Sequence, residues 1–153
     1  MRSLYQDFKD LLSEFENAGV SYLLIGGYAV SYYSRPRYTK DLDLWIANDA
    51  ENLERVYRAL ANFGAPSHVL KDLLELAPDE VLFMGNPPVR VDILQRVDGL
   101  NFQDSYTRRQ SVLWHDTPVT ILSREDLIVS KRAAGRPQDL IDATQLESVA
   151  ENT

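Results

Sequence analysis

The chain predicts an α/β (α+β) fold: a small, mixed, twisted sheet with helices mainly on one face and an acid-bearing edge left open. Three observations carry this expectation. Residues Asp41 to Ile46 alternate apolar Leu42, Leu44 and Ile46 with Asp41, Asp43 and Trp45, the period-2 signature of a half-buried strand. Segments of helical period, such as Leu4, Phe8, Leu11, Leu12 and Phe15, are interleaved with short apolar runs suited to strands. Finally, Gly26-Gly27 joins one such run directly to a helix.

Taken in order, Ser3 to Ala18 reads as an amphipathic helix that Ser3 can cap and Gly19 stops. Ser21 to Ile25 is a buried strand, and after the two glycines Tyr28 to Tyr33 forms a short helix. Ser34 to Lys40 is a loop, because Pro36 blocks helix continuation. The Asp41–Ile46 strand follows. Asn48 or Asp49 then caps a helix to Phe63, with Leu53, Val56, Tyr57 and Leu60 on one stripe and Gly64 as terminator. Ser67 to Ala77 is a further short helix that Pro78 ends.

Val81–Met84 and Val89–Leu94 read as strands joined across Gly85-Asn86-Pro87-Pro88. Asn101 to Arg109 makes a helical turn, and Ser111–His115 and Pro118–Leu122 are two strands around Asp116-Thr117. Ser123-Arg124-Glu125-Asp126 resembles a capping box opening a helix to Ala134, which Gly135 stops. Pro137 sits at a favoured first position of the final helix, with Asp139 complementing its dipole. No repeat, low-complexity segment or linker interrupts the chain, so a single domain over residues 1–153 is expected.

Composition narrows the function. With 44% hydrophobic and 25% charged residues, the chain has the balance of a soluble globular protein. No run approaches the ~18 apolar residues of a membrane span, and Met1 to Tyr5 lacks a signal-peptide core, so a cytoplasmic, non-membrane protein is expected. The absence of cysteine excludes disulfides, thiolate metal sites and cysteine nucleophiles. His68 and His115 have no ligand partner at metal spacing. A net charge of −7 argues against broad, nonspecific binding to nucleic acid.

The candidate chemistry centres on acids. Asp41 and Asp43, two residues apart on a strand, point to one side with Cα atoms roughly 6.6 Å apart. Two adjacent carboxylates repel and raise each other's pKa, so a cation should accompany them, and a hard divalent metal with oxygen ligands is the natural candidate. A solvated strand face would carry the same Asp-x-Asp. Asp92 stands on a later strand, facing the same way as Arg90 and Leu94 and away from Val91 and Ile93. Gly26-Gly27 at a helix start can turn backbone N–H groups toward an anion, and the missing Cβ permits close approach; an ordinary tight turn would use the same pair. Arg37 and Lys40, with Arg35, precede the acids and can counter their charge or grip phosphates. Lys131 shares a helical face with Leu127 and Ile128, so it either snorkels to water or reaches a buried anion.

Strand, Gly26-Gly27, short helix, Asp41-Leu42-Asp43, then Asp92 in Val91-Asp92-Ile93-Leu94: this order resembles the DNA polymerase β-type nucleotidyltransferase superfamily. Lys131 to Asp142 resembles the closing motif of AbiEii-like and minimal bacterial nucleotidyltransferases, with Gln138 where a lysine is often found. The resemblance covers roughly residues 20 to 145. It implies a nucleotidyltransferase-like fold and transfer of a nucleoside monophosphate from a nucleoside triphosphate, such as ATP, to an acceptor. Two divalent ions, Mg²⁺ or Mn²⁺, would be held by the catalytic acids Asp41, Asp43 and Asp92, with Asp92 also suited to take the acceptor's proton. Gly26 and Gly27 would make room for phosphate, Lys131 would neutralise its β/γ end, and Arg37 and Lys40 would assist. The acceptor is left open between RNA or tRNA, a protein and a small molecule, with a toxin–antitoxin partner as a further implication. The alternative class is a non-catalytic nucleotide-binding or antitoxin-type protein that keeps the fold. A structural metal-binding domain would use the acids but leave Gly26-Gly27 and Lys131 without a task.

Overall fold

The computed structural model describes residues 4–36, 39–85 and 90–151. Ser3, Arg37, the Asn86-Pro87-Pro88 turn and Val89 lie outside them. The elements run α1 (Leu4–Asn17), β1 (Tyr22–Ile25), α2 (Gly26–Tyr33), β2 (Asp41–Ile46), α3 (Ala50–Phe63), α4 (Ser67–Leu74) and β3 (Leu82–Met84). They continue with β4 (Arg90–Leu94), α5 (Phe102–Thr107), β5 (Gln110–Trp114), β6 (Thr117–Ile121), α6 (Arg124–Ala134) and α7 (Pro137–Glu151). Among the described residues no helix is long and apolar enough to cross a membrane.

Six strands form one mixed sheet in the order β3-β4-β2-β1-β6-β5. β2 runs antiparallel to β1 and parallel to β4, so it is an interior strand with partners on both sides. The expected alternation is seen in β2: Leu42 and Leu44 are fully buried while Asp41 and Asp43 are partly exposed. Burying each of those leucines contributes ~1.5–3 kcal/mol. Phe8, Leu11, Leu12 and Phe15 of α1, Val56 and Leu60 of α3, and Val69 and Leu73 of α4 complete the core on that side. The opposite face carries the acids. The acids therefore stand on an open patch within the sheet rather than at its edge.

One residue departs from the simple alternation. Trp45 shares the acids' side of β2 yet is only 1% exposed, because Phe102 of α5 covers it edge-on at 5.1 Å. The acid face is thus closed at one end by α5 and open further along.

Buried Asn52 on α3 fixes the β1–β2 pair. Its side chain accepts from Ser21 N (2.7 Å) and donates to Ser21 O (3.0 Å) and Ala47 O (2.7 Å). The stripe on this helix supplies packing, but Asn52 also clamps the start of β1 to the end of β2. Asp49 is the cap, accepting from Asn52 N at 3.1 Å.

Among the boundaries that differ from expectation, three have a clear physical cause. α2 begins at Gly26, so the two glycines are its first residues rather than a turn before it. α4 stops at Leu74, since the Glu80 carboxylate takes the Ala77 N–H (2.8 Å) and Gln95 donates to the Ala77 carbonyl (2.9 Å), tying that segment into a loop. The β5–β6 turn is His115-Asp116, one residue earlier than expected, with φ of +48° and +65°. A two-residue hairpin of that mirror-image type matches the twist of its strands, and it needs positive φ at both positions.

Candidate active site

The parallel register of β2 and β4 brings the acids together. Asp41 pairs with Arg90 and Asp43 with Asp92, all on one face. Asp43 and Asp92 are therefore direct neighbours on strands about 4.8 Å apart, and like charges so placed repel. They line a cleft of about 400 Å³ together with Gly26, Arg96, Lys131 and Asp139. Burial, then Asp92, then Asp41 push the Asp43 carboxyl up to about 7, while Lys131 and Arg90 pull the other way.

Gly26 has φ +73°, and a Cβ there would overlap the Asp43 carboxylate. The glycine thus seats a site acid against the backbone. At Gly27 a Cβ would stand 2.6 Å from Thr39 Cγ2, so packing of Thr39 accounts for the second glycine. Ile25 and Gly26 line the cleft, and no side chain among the described residues caps the start of α2.

Among the described residues, the cation hydrogen-bonded to these acids is Arg90. Its Nε donates to Asp92 Oδ1 at 2.8 Å and its Nη2 to Asp92 Oδ2 at 3.1 Å, while Nη2 lies 3.4 Å from Asp41 Oδ2. The guanidinium also sits 5.0 Å from the centre of the Phe83 ring. Asp41, Asp43 and Asp92 share a face as expected. However, no group of three acidic or histidine side chains among the described residues is gathered as a metal cage, and Arg90 engages two of the three acids. Arg90 was legible as a neighbour of Asp92 by the same i, i+2 spacing that pairs Asp41 with Asp43. That it would bridge two strands depends on the register.

Lys131 takes the second of its two expected courses and reaches buried anions. Its Nζ is 3.4 Å from Asp139 Oδ1 and 3.4 Å from Asp142 Oδ2, with the lysine side chain only 14% exposed. Both carboxylates come from the first turns of α7. Arg136 Nε donates to Asp139 at 2.7 Å, and Arg136 N to the same oxygen at 3.3 Å, so Asp139 reaches back from the third helical position as in a capping box. Hydrogen bonds from Arg136 outweigh burial and, with Lys131, hold the Asp139 carboxyl below its ordinary range. Gln138 donates to Asp142 at 2.9 Å. Lys40 is exposed next to Asp41, and Arg37 lies outside the described residues.

Comparison with known proteins fits this arrangement. A family model described as "Nucleotidyltransferase of unknown function (DUF6036)" matches residues 1–151. It accords with the DNA polymerase β-type resemblance and does not place the chain in the AbiEii-like branch. No curated protein sequence matches. Among solved structures, the lincosamide antibiotic adenylyltransferase LnuA, lincomycin-bound, is similar with a TM-score of 0.61 and 16% identity, covering 94% of this chain and 96% of that one. A candidate nucleotidyltransferase from Thermotoga maritima gives 0.61 and 13%, covering 97% and 93%. The antibiotic-resistance factor ANT(2'')-Ia gives 0.58 and 13%, covering 95% and 83%. At these identities the likeness is one of fold.

Proposed function

This chain belongs to the nucleotidyltransferase family DUF6036, and from that premise we propose that it transfers a nucleoside monophosphate from a nucleoside triphosphate to a hydroxyl of a small-molecule acceptor, with divalent metal. The observation that carries the reading is the register placing Asp43 beside Asp92, with Asp41 on the same face, in a cleft that Lys131 also lines.

The acids fit Mg²⁺ or Mn²⁺ in kind. They offer hard oxygen donors, and the Asp43 carboxyl is raised by burial and like charge, a strain that a cation relieves. Asp41, Asp43 and Asp92 would hold the metal, which supplies positive charge to the transferring phosphoryl group. The acceptor oxygen attacks the α-phosphorus, the bond to the bridging oxygen breaks, and pyrophosphate leaves. Asp92 is assigned the acceptor's proton. The uncapped N–H groups opening α2 beside Gly26 suit the triphosphate oxygens. Lys131, at the cleft wall, is assigned the charge of the β/γ end.

A small acceptor is favoured over RNA by the net charge of −7 and by the acids in the cleft. Two of the fold neighbours are antibiotic-directed, which supports the same class. The test is incubation with each α-labelled nucleoside triphosphate, Mg²⁺ or Mn²⁺, and separate pools of small metabolites and hydroxyl-bearing antibiotics, total RNA, and lysate protein. Metal-dependent label on a small molecule, lost in Asp43→Asn, is expected. Label on RNA or protein replaces the small-molecule acceptor and favours a toxin–antitoxin role. Triphosphate binding without transfer to any pool favours the non-catalytic class.

A further inference from the structure

We propose that Arg90 is a built-in counter-ion that occupies the acid face in the metal-free protein and competes with metal for it. The inference rests on the reading of Asp41, Asp43 and Asp92 as metal ligands. Arg90 opens β4 two residues before Asp92 and directly opposite Asp41. Both arms of its fork are spent on Asp92, and one also reaches Asp41. Two of the three carboxylates assigned to metal are thus already engaged by one planar cation, which holds Asp92 bidentately, the geometry that makes arginine–carboxylate pairs strong, and approaches Asp41 at 3.4 Å.

A guanidinium and a dication cannot both sit on the same oxygens, because each would lose its partners and repel the other. Metal loading is therefore an exchange, and its affinity is reduced by whatever holds Arg90 in place. The displaced side chain has somewhere to go. Phe83, 55% exposed and the cross-strand neighbour of Asp92 on β3, already lies under the guanidinium, a cation–π contact that does not draw on the carboxylates.

The test is calorimetric titration of the nucleotide-free full chain with MnCl₂, accompanied by melting curves. Arg90→Met keeps the stem and removes the charge; it should bind Mn²⁺ roughly ten- to a hundredfold more tightly than wild type. Its metal-free melting temperature should fall and its Mn²⁺-induced rise should exceed that of wild type. Arg90→Lys keeps charge without the fork and should lie between the two, and it carries the comparison if Arg90→Met does not fold. Asp43→Asn/Asp92→Asn identifies binding at the acid face. Equal or weaker Mn²⁺ binding by both Arg90 variants, with binding lost in the double Asn variant, overturns the role of Arg90 and leaves the metal reading standing. No Mn²⁺ binding by wild type or either Arg90 variant removes both.

Discussion

The Asp43 carboxylate lies against Gly26, in the space a Cβ would take. Gly26→Ala should therefore combine backbone strain at φ +73° with displacement of a site acid. Gly19→Ala is the control, since Gly19 has φ +71° with nothing within 4 Å of a Cβ. Strain alone in the control should cost about 1 kcal/mol, and Gly26→Ala should cost about 1–3 kcal/mol more. Denaturant melts measure both. If the two variants lose equal stability and Gly26→Ala keeps nucleotidyl transfer, Asp43 does not depend on that glycine.

The same carboxylate gives the stability a pH signature. Asp43 is raised from an ordinary 3.8 to about 7 in the folded chain. Between those values the native state holds a proton that the unfolded chain has lost. Its contribution is thus full below the ordinary value and lost as pH rises through the folded one. Asp43→Asn removes that loss, so its metal-free advantage in melting temperature over wild type should grow from about pH 5 to about pH 8. Asp139 has the opposite sign: its carboxyl is lowered, so its contribution is present above the ordinary value and fades as pH falls through the folded one. A melting-temperature difference for Asp43→Asn that is flat with pH would contradict the assignment.

Asn52 yields a test of the scaffold that leaves the acids untouched. Asn52→Ala takes the bonds of 2.7 to 3.0 Å from the Ser21 N–H and the Ala47 carbonyl, and leaves the Ser21 carbonyl with the Ala47 N–H at 3.2 Å. A loss of about 2–4 kcal/mol is expected in urea unfolding, against about 1 kcal/mol for the cap variant Asp49→Ala. Similar losses in the two would mean that water replaces the Asn52 bonds.

How far the sequence carried depended on the range of the forces involved. β2 was legible to the residue because Leu42, Leu44 and Ile46 must alternate with something polar if one face is buried. α6 was legible because Ser123 and Gly135 mark its ends, and both act there as caps, Ser123 accepting from Asp126 N and Gly135 taking φ +70°. The β5–β6 turn was misplaced by one residue because His115 and Asp116 adopt positive φ without any glycine to announce it. α4 was overextended because Glu80 and Gln95, distant in pattern, capture Ala77. The Arg90 clamp and the seat of Asp43 on Gly26 arise from strand neighbours and a close backbone approach, which spacing along one strand cannot specify.

Lys131 is where fold and chemistry are hardest to separate, since its charge already serves Asp139 and Asp142. Lys131→Met takes the ammonium away from two buried carboxylates, and a loss of about 3 kcal/mol is expected. Adding Asp142→Asn removes one of those buried charges and should recover part of that stability. The proposed phosphate role makes a different demand. Triphosphate affinity should fall roughly tenfold or more in Lys131→Met, monophosphate affinity should fall less, and Asp142→Asn should restore neither. Calorimetric titration of the single and double variants, each confirmed folded by its melting curve, reads both effects. Recovery of triphosphate binding together with stability in the double variant would make Lys131 a structural ion-pair partner and leave the phosphate to the opening turn of α2.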